Sequence, residues 1–161
     1  MAAEQRIEIL HHRHGSWDDL PATDRDLLEH AVAAAARAYA PYSHFHVGAA
    51  LLTSDGRIVE GSNQENASFP AGICAERTAL HAAMSDRPEA HITAIAVAVP
   101  QAGPDRPVAP CGICRQALLE QERRQAAPIR LLMGAVNGPV IEMRSVADLL
   151  PFSFDGSFLE R

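Results

Sequence analysis

Cysteine is scarce in this chain, with three in 161 residues. An odd set of three cannot all pair internally, so a disulfide-stapled scaffold is excluded, and a C-x-x-C pair in a reducing compartment favours a metal. Long hydrophobic runs are missing too. The longest, residues 31–36, falls far short of the ~20 residues that cross a bilayer, so no membrane partner is expected. No basic stretch followed by an apolar one opens the chain, which gives no secretory leader and makes the cytoplasm the expected compartment. Without secretion, the acceptor-like Asn66-Ala67-Ser68 carries no glycosylation meaning. Basic charge is in deficit, 14 Lys+Arg against 20 Asp+Glu, for a net charge of −6. A polynucleotide partner needs clustered cations, so nucleic acid is not expected either. Internal repeats and low-complexity segments are absent.

What remains is an ordinary globular composition, 47% hydrophobic and 21% charged. A chain of this length can bury roughly 70% of its unfolded surface in one domain. Residues 1–20 read as an N-terminal arm or edge strand, and residues 21–161 as a single domain. Arg6-Ile7-Glu8-Ile9-Leu10 alternates like a short strand, whereas His11-His12-Arg13-His14 has no matching ligands nearby and reads as a solvated flank. Thr23 and Asp26 stand at capping-box spacing, with an acid in place of the usual Glu. Leu27, Leu28, Ala31, Val32, Ala35 and Ala38 then recur at helical spacing and predict a first helix of about sixteen residues, ending before Pro41.

Residues 47–53 and 57–61 predict two strands joined through the Asp-Gly turn at Ser54-Asp55-Gly56. A second helix is expected over 74–85 and a strand buried on both faces over 92–99. A Pro-rich loop, 101–108, leads to a third helix over 111–124. Strands at 129–133 and 140–143 and a short helix at 145–150 complete the chain. The alternation predicts an α/β fold with helices on both sides of a five-stranded sheet. Residues 134–139 suffice for a hairpin but not for a parallel crossover, which needs about a dozen residues, so the last strand is expected to be antiparallel.

The chemistry is concentrated in two segments, Gly72-Ile73-Cys74-Ala75-Glu76-Arg77-Thr78-Ala79-Leu80 and Pro110-Cys111-Gly112-Ile113-Cys114-Arg115-Gln116, both read as helix first turns. Cys74, Cys111 and Cys114 can bind Zn²⁺ tetrahedrally and leave the fourth position to water, as in a catalytic site. A structural site would want a fourth protein ligand. The nearest histidines are His81 and His91, and His81 falls more than a turn past Glu76. Glu76 sits two residues after Cys74, close to that water without being a ligand. Zinc with three thiolates is formally negative and a weakened Lewis acid. Backbone N–H groups at the helix starts, and the guanidinium of Arg77, can draw charge off the sulfurs.

Cys-x-Glu with Pro-Cys-x-x-Cys is the signature of zinc-dependent base deaminases. Together with Tyr39-Ala40-Pro41-Tyr42-Ser43-His44-Phe45-His46-Val47-Gly48-Ala49 and Asn63-Gln64-Glu65-Asn66-Ala67-Ser68, it gives a chain that resembles the cytidine deaminases of pyrimidine salvage, small Cys₃ type, from about residue 24 to about residue 154. The resemblance implies a three-layer α-β-α cytidine deaminase-like fold with an antiparallel last strand. Deaminases of tRNA adenosine and polynucleotide cytosine instead place a helix before a parallel last strand. It also implies hydrolytic deamination of cytidine and 2′-deoxycytidine with release of ammonia, one Zn²⁺ per subunit, and a homotetramer with sites near its interfaces. In the family pattern Glu76 is the catalytic proton carrier and Arg77 supports the sulfurs. Asn63 and Glu65 match the pair that holds the ribose hydroxyls, and Phe45 an aromatic against the pyrimidine ring. Ala75 matches a backbone N–H donor to the 2-oxo group, and Phe154 an aromatic that enters a neighbouring subunit's site. Ala109, Ile113 and Phe69 depart from the usual Ser or Thr, Ala and Tyr. Two alternatives stand beside this reading: a deaminase of a modified nucleoside or nucleoside antibiotic of the blasticidin S type, and a non-catalytic, zinc-stabilised binding module.

Overall fold

In the computed structural model, which describes residues 2–159, the chain runs β1 (His11–His14), α1 (Ala22–Ala35), β2 (Gly48–Thr53), β3 (Ile58–Ser62), α2 (Ala75–Asp86), β4 (Ile92–Ala98), α3 (Gly112–Gln125), β5 (Arg130–Gly134) and β6 (Val140–Met143). The strands form one sheet in the order β1-β6-β5-β4-β2-β3. β4 and β5 pair in parallel, and the other neighbours are antiparallel, including the expected β5–β6 hairpin.

The sheet has six strands where five are expected, and the added one is not the alternating Arg6–Leu10 stretch. His11–His14 pairs residue for residue with the whole of β6, His11 opposite Met143 and His14 opposite Val140, so no β6 backbone is left for residues 6–10. An edge strand needs backbone partners more than apolar side chains, and His14 Nε2 meets Glu142 at 2.9 Å across the pair. Ile7, Ile9 and Leu10 stay exposed.

The start of α1 also differs. Pro21 occupies the cap and Thr23 makes no capping bond; the capping box lies upstream, where Ser16 and Asp19 bracket the short 3₁₀ turn Trp17–Asp19. Pro at the helix boundary presets the backbone angle of the first turn and leaves no N–H to cap. The buried Asp24 instead accepts from Arg130 Nη2 at 2.6 Å, tying α1 to β5. The helix ends at Ala35, fourteen residues in all. The short helix expected at 145–150 is a 3₁₀ turn, Val146–Leu149, and a second such turn follows at Gly156–Phe158.

Period-two alternation sorts the sheet residues into two layers. Leu51, Ile95, Val97 and Leu131 pack against Ala79, Leu80 and Leu118 of α2 and α3. Ala50, Ala94, Ala96 and Leu132 pack against Leu27, Leu28 and Ala31 of α1. Small residues let the helices come close. A Cβ on Gly61 would meet Ala75 O at 2.4 Å, so glycine there is what allows α2 to start directly on the sheet. α3 closes on Ala126 in the left-handed region (φ 49°, ψ 34°). Its buried Glu122 accepts from Ile129 N at 2.7 Å, Val146 N at 3.2 Å and the Ser145 hydroxyl at 2.5 Å, fixing the entry to β5 and the last turn. No helix among the described residues is long and apolar enough to cross a membrane.

Candidate active site

Both helices on the same face of the sheet begin on cysteine. Cys74 is the N-cap of α2 and Cys111 the N-cap of α3, each with extended backbone, and Cys114 lies in the first turn of α3, fully buried. The Sγ atoms of Cys74 and Cys111 are 3.8 Å apart and those of Cys111 and Cys114 3.5 Å, with all three within 4.8 Å of one another. Zn–S bonds of about 2.3 Å in a tetrahedron put sulfurs about 3.8 Å apart. This spacing fits zinc. No histidine joins the cluster among the described residues, so neither His81 nor His91 supplies a fourth ligand.

The donor chemistry fits as well. The Cys74 thiol is held down to about 5, chiefly by the Cys114 thiol donating to it, with Cys111 and Arg77 adding and burial opposing. Cys114 is pushed up by that same interaction and by burial. Of these two sulfurs Cys74 gives up its proton the more readily, and a divalent cation is what lets thiols packed this closely ionise together. Arg77 Nε is buried without a hydrogen-bond partner, while Nη2 donates to Gly72 O at 3.5 Å. The guanidinium lies against Cys74 and Cys114, which raise its pKa against the cost of burial. An unpaired buried N–H beside sulfurs is accounted for if those sulfurs carry charge.

Glu76 stands in the first turn of α2, 4% exposed. Burial pushes its carboxyl up, and the Cys74 sulfur adds to this. Ala75, fully buried at the helix start, contributes one of the first-turn N–H groups that have no partner within a helix.

A cavity of about 550 Å³ opens beside this cluster, lined by Cys74, Arg77, Asn63, Glu65, Tyr42 and Phe69 among others. Asn63 is fixed by both ends of its amide: Oδ1 accepts from Val47 N and Nδ2 donates to Phe45 O, each at 2.8 Å. Glu65 accepts from Tyr42 N at 2.9 Å, from Ser43 N at 3.3 Å and from the Ser43 hydroxyl. The Ser43 hydroxyl is the main reason its carboxyl lies below the ordinary range.

Of the other predicted site residues, Ala75, Glu76, Cys111 and Cys114 do not themselves line this cavity, and Phe45 and Phe154 stand elsewhere. Phe45 lines a second one, of about 500 Å³, with Gln101, Arg106 and Ala109. Phe154 is exposed, stacks on Phe158 with centroids 5.7 Å apart, and offers its carbonyl to Gln116 Nε2 at 2.9 Å. The structure adds Ser43 and Arg115. Arg115 Nε donates to Pro110 O at 2.8 Å and so fixes the peptide that delivers Cys111. Its place right after C-x-x-C is a signal in the sequence; no spacing rule joins Ser43 to Glu65.

An α/β domain in which three helix-start thiols flank a buried carboxylate defines a zinc-dependent deaminase class, and residues 21–127 match the cytidine and deoxycytidylate deaminase zinc-binding region. The chain is 44% identical over 128 residues to the cytidine deaminase of Halalkalibacterium halodurans, covering 80% of this chain and 91% of that one. The crystal structure of the cytidine deaminase from Burkholderia pseudomallei superposes with a TM-score of 0.70 at 44% identity, over 80% of this chain and 97% of that one. A blasticidin-S deaminase from Bacillus cereus is 28% identical over 135 residues, 81% of this chain and 91% of that protein. The chain belongs to the cytidine deaminase family.

Proposed function

We propose that this chain hydrolyses the 4-amino group of cytidine and 2′-deoxycytidine, giving uridine or 2′-deoxyuridine and ammonia. The observation that carries it is the triangle of sulfurs at two helix starts beside the buried Glu76. Cys74, Cys111 and Cys114 would hold one zinc ion per subunit. When bound, zinc supplies a Lewis acid that brings the pKa of water towards neutrality.

The chain's own groups do the rest. Glu76 takes one proton from the attacking water and passes it to pyrimidine N3, then takes the remaining proton of the new 4-hydroxyl and delivers it to the departing amine, so that the C4–N bond breaks and ammonia leaves. Burial suits it to this work by raising its affinity for a proton towards neutral pH. Arg77 and the first-turn N–H groups draw charge from the sulfurs. The Ala75 N–H meets the 2-oxo group. Asn63 and Glu65 bind the ribose 3′-hydroxyl, already oriented by their bonds to the 42–47 segment. Phe45 packs against the pyrimidine, coupled to Asn63 through its carbonyl.

A homotetramer is part of the same reading. Phe69, Phe152 and Phe154 are 77%, 87% and 58% exposed, and an assembly that covers them would let Phe154 complete a neighbour's site. Residues 21–161 act as one domain, and unpaired thiols suit the cytoplasm. The lower identity to the blasticidin-S deaminase does not favour the antibiotic alternative, and a binding module has no use for a buried carboxylate beside its metal. The test is zinc-loaded protein with cytidine, following loss of cytidine absorbance and release of ammonia, alongside cytosine, adenosine and cytidine 5′-phosphate. Absence of any cytidine turnover overturns the proposal.

A further inference from the structure

The single tryptophan of the chain plays no part in the chemistry above, yet it is tied to the wall of the second cavity. We propose that Trp17 is a positioning residue: through the β5–β6 turn it holds the 100–110 loop that walls the Phe45 cavity, and so sets the affinity for the nucleoside. This rests on the deaminase reading of the site.

Trp17 is itself held firmly. Gly15 N and Ser16 N donate to Asp19 Oδ2 at 2.9 and 3.0 Å, and Asp18 N donates to Ser16 Oγ at 3.2 Å, so the 3₁₀ turn that carries the ring is closed on both sides. The ring packs on the α1-side layer that includes Leu20, Leu28 and Val140. Its indole N–H donates to Ala135 O at 2.9 Å. That carbonyl also accepts from Gly138 N at 3.1 Å, and Ala135 N donates to Pro139 O at 3.1 Å, so one acceptor organises the whole turn.

On its other side the turn meets the loop with no space between them. A Cβ built on Gly138 would lie 1.7 Å from Pro104 O and 2.9 Å from Pro104 C, both backbone atoms. The loop needs this floor. Among the described residues, 103–109 make no backbone hydrogen bond, and Gly103 has φ 91°. Gln101, Ala102, Arg106, Pro107, Val108 and Ala109 of this loop face Phe45 across about 500 Å³, and the wall ends two residues before Cys111. A turn displaced by loss of the indole bond therefore widens the cavity, while Cys111 keeps its own support from Arg115. Binding should suffer and the bond-breaking machinery should not.

The experiment compares the zinc-loaded full chain with Trp17→Phe, which keeps the aromatic packing and removes the donor, and with Gly138→Ala, which pushes on Pro104 without touching Trp17. Loss of one neutral hydrogen bond predicts a cytidine KM raised about three- to ten-fold in Trp17→Phe, with kcat within about two-fold and a melting temperature lowered by no more than about 6 °C. Gly138→Ala is expected to raise KM as well. Wild-type protein with no turnover sinks the deaminase reading. Active wild-type protein with an unchanged KM in Trp17→Phe, or with kcat falling in step with melting temperature, overturns the Trp17 proposal alone. Should Trp17→Phe not fold, the wild-type indole decides. Its emission, excited beyond the absorbance of uridine, is expected to shift on saturation with that product, and no shift overturns the proposal.

Discussion

At the scale of single residues, Glu76 and Arg77 are neighbours in the first turn of α2 with separable jobs in the proposed reaction. Removing the proton carrier should leave the metal in place, so Glu76→Gln is expected to retain wild-type zinc while turnover falls by about 10²- to 10⁴-fold. Metal analysis with a cytidine assay checks this, and a variant working at a tenth of the wild-type rate refutes the assignment. Arg77→Ala should do the reverse. With no guanidinium against Cys74 and Cys114, zinc affinity measured by chelator competition is expected to drop about 10- to 100-fold. The sulfur cluster and its carboxylate were legible in the sequence because their spacing is local: C-x-E and C-x-x-C each lie within one helical turn. Phe45 and Glu65 were legible only as matches to a pattern. Their settings depend on Asn63 and Ser43, partners eighteen and twenty-two residues away that no periodicity announces.

Among the elements, the pairing of α1 with β3 carries the clearest pH dependence. Glu60 of β3 accepts from His30 Nδ1 of α1 at 2.5 Å and pairs with Arg37 just beyond the helix. His30 first, then Arg37, hold its carboxyl below the ordinary 4.5. A carboxyl depressed in the folded state contributes its full stabilisation above the unfolded value and loses it as pH falls through the folded one. Denaturant midpoints are therefore expected to fall in the wild type as pH drops below the ordinary 4.5 and to fall less in Glu60→Gln. Equal slopes would show that the pair contributes nothing. Strand and helix positions followed the sequence closely wherever apolar periodicity was strong, as in 92–98 and 112–125. Element ends were less legible. Thr23 has the spacing of a cap, but Pro21 takes the boundary, and the box forms at Ser16 and Asp19, where the apolar pair Trp17 and Leu20 is cut off at once by Pro21. The sixth strand was hidden for a related reason: His11–His14 is recruited by the free edge of β6, a property of its partner and not of its own residues.

For the molecule as a whole, metal and fold are linked but not inseparable. The two apolar layers on either face of the sheet are built from β2, β4, β5 and the three helices, so the chain stripped by chelator is expected to keep its secondary structure. Zinc at about a thousand times its Kd adds about 4 kcal/mol, or roughly 8–16 °C in melting temperature for a chain of this size. Circular dichroism melts with and without zinc check this, and identical curves would mean that the thiols bind no metal.

The polar strand at the amino end also has a bearing on how the protein is handled. Its four residues act as a hem on the sheet, occupying amides and carbonyls of Val140–Met143 that would otherwise face outward. A chain trimmed back to its tryptophan would keep its layers yet bare a ragged selvedge bearing Ile141, and such borders stick to their own kind. The backbone of residues 11–14 thus shields that border, and a version shortened past it is expected to self-associate more than the full chain, which light scattering would read.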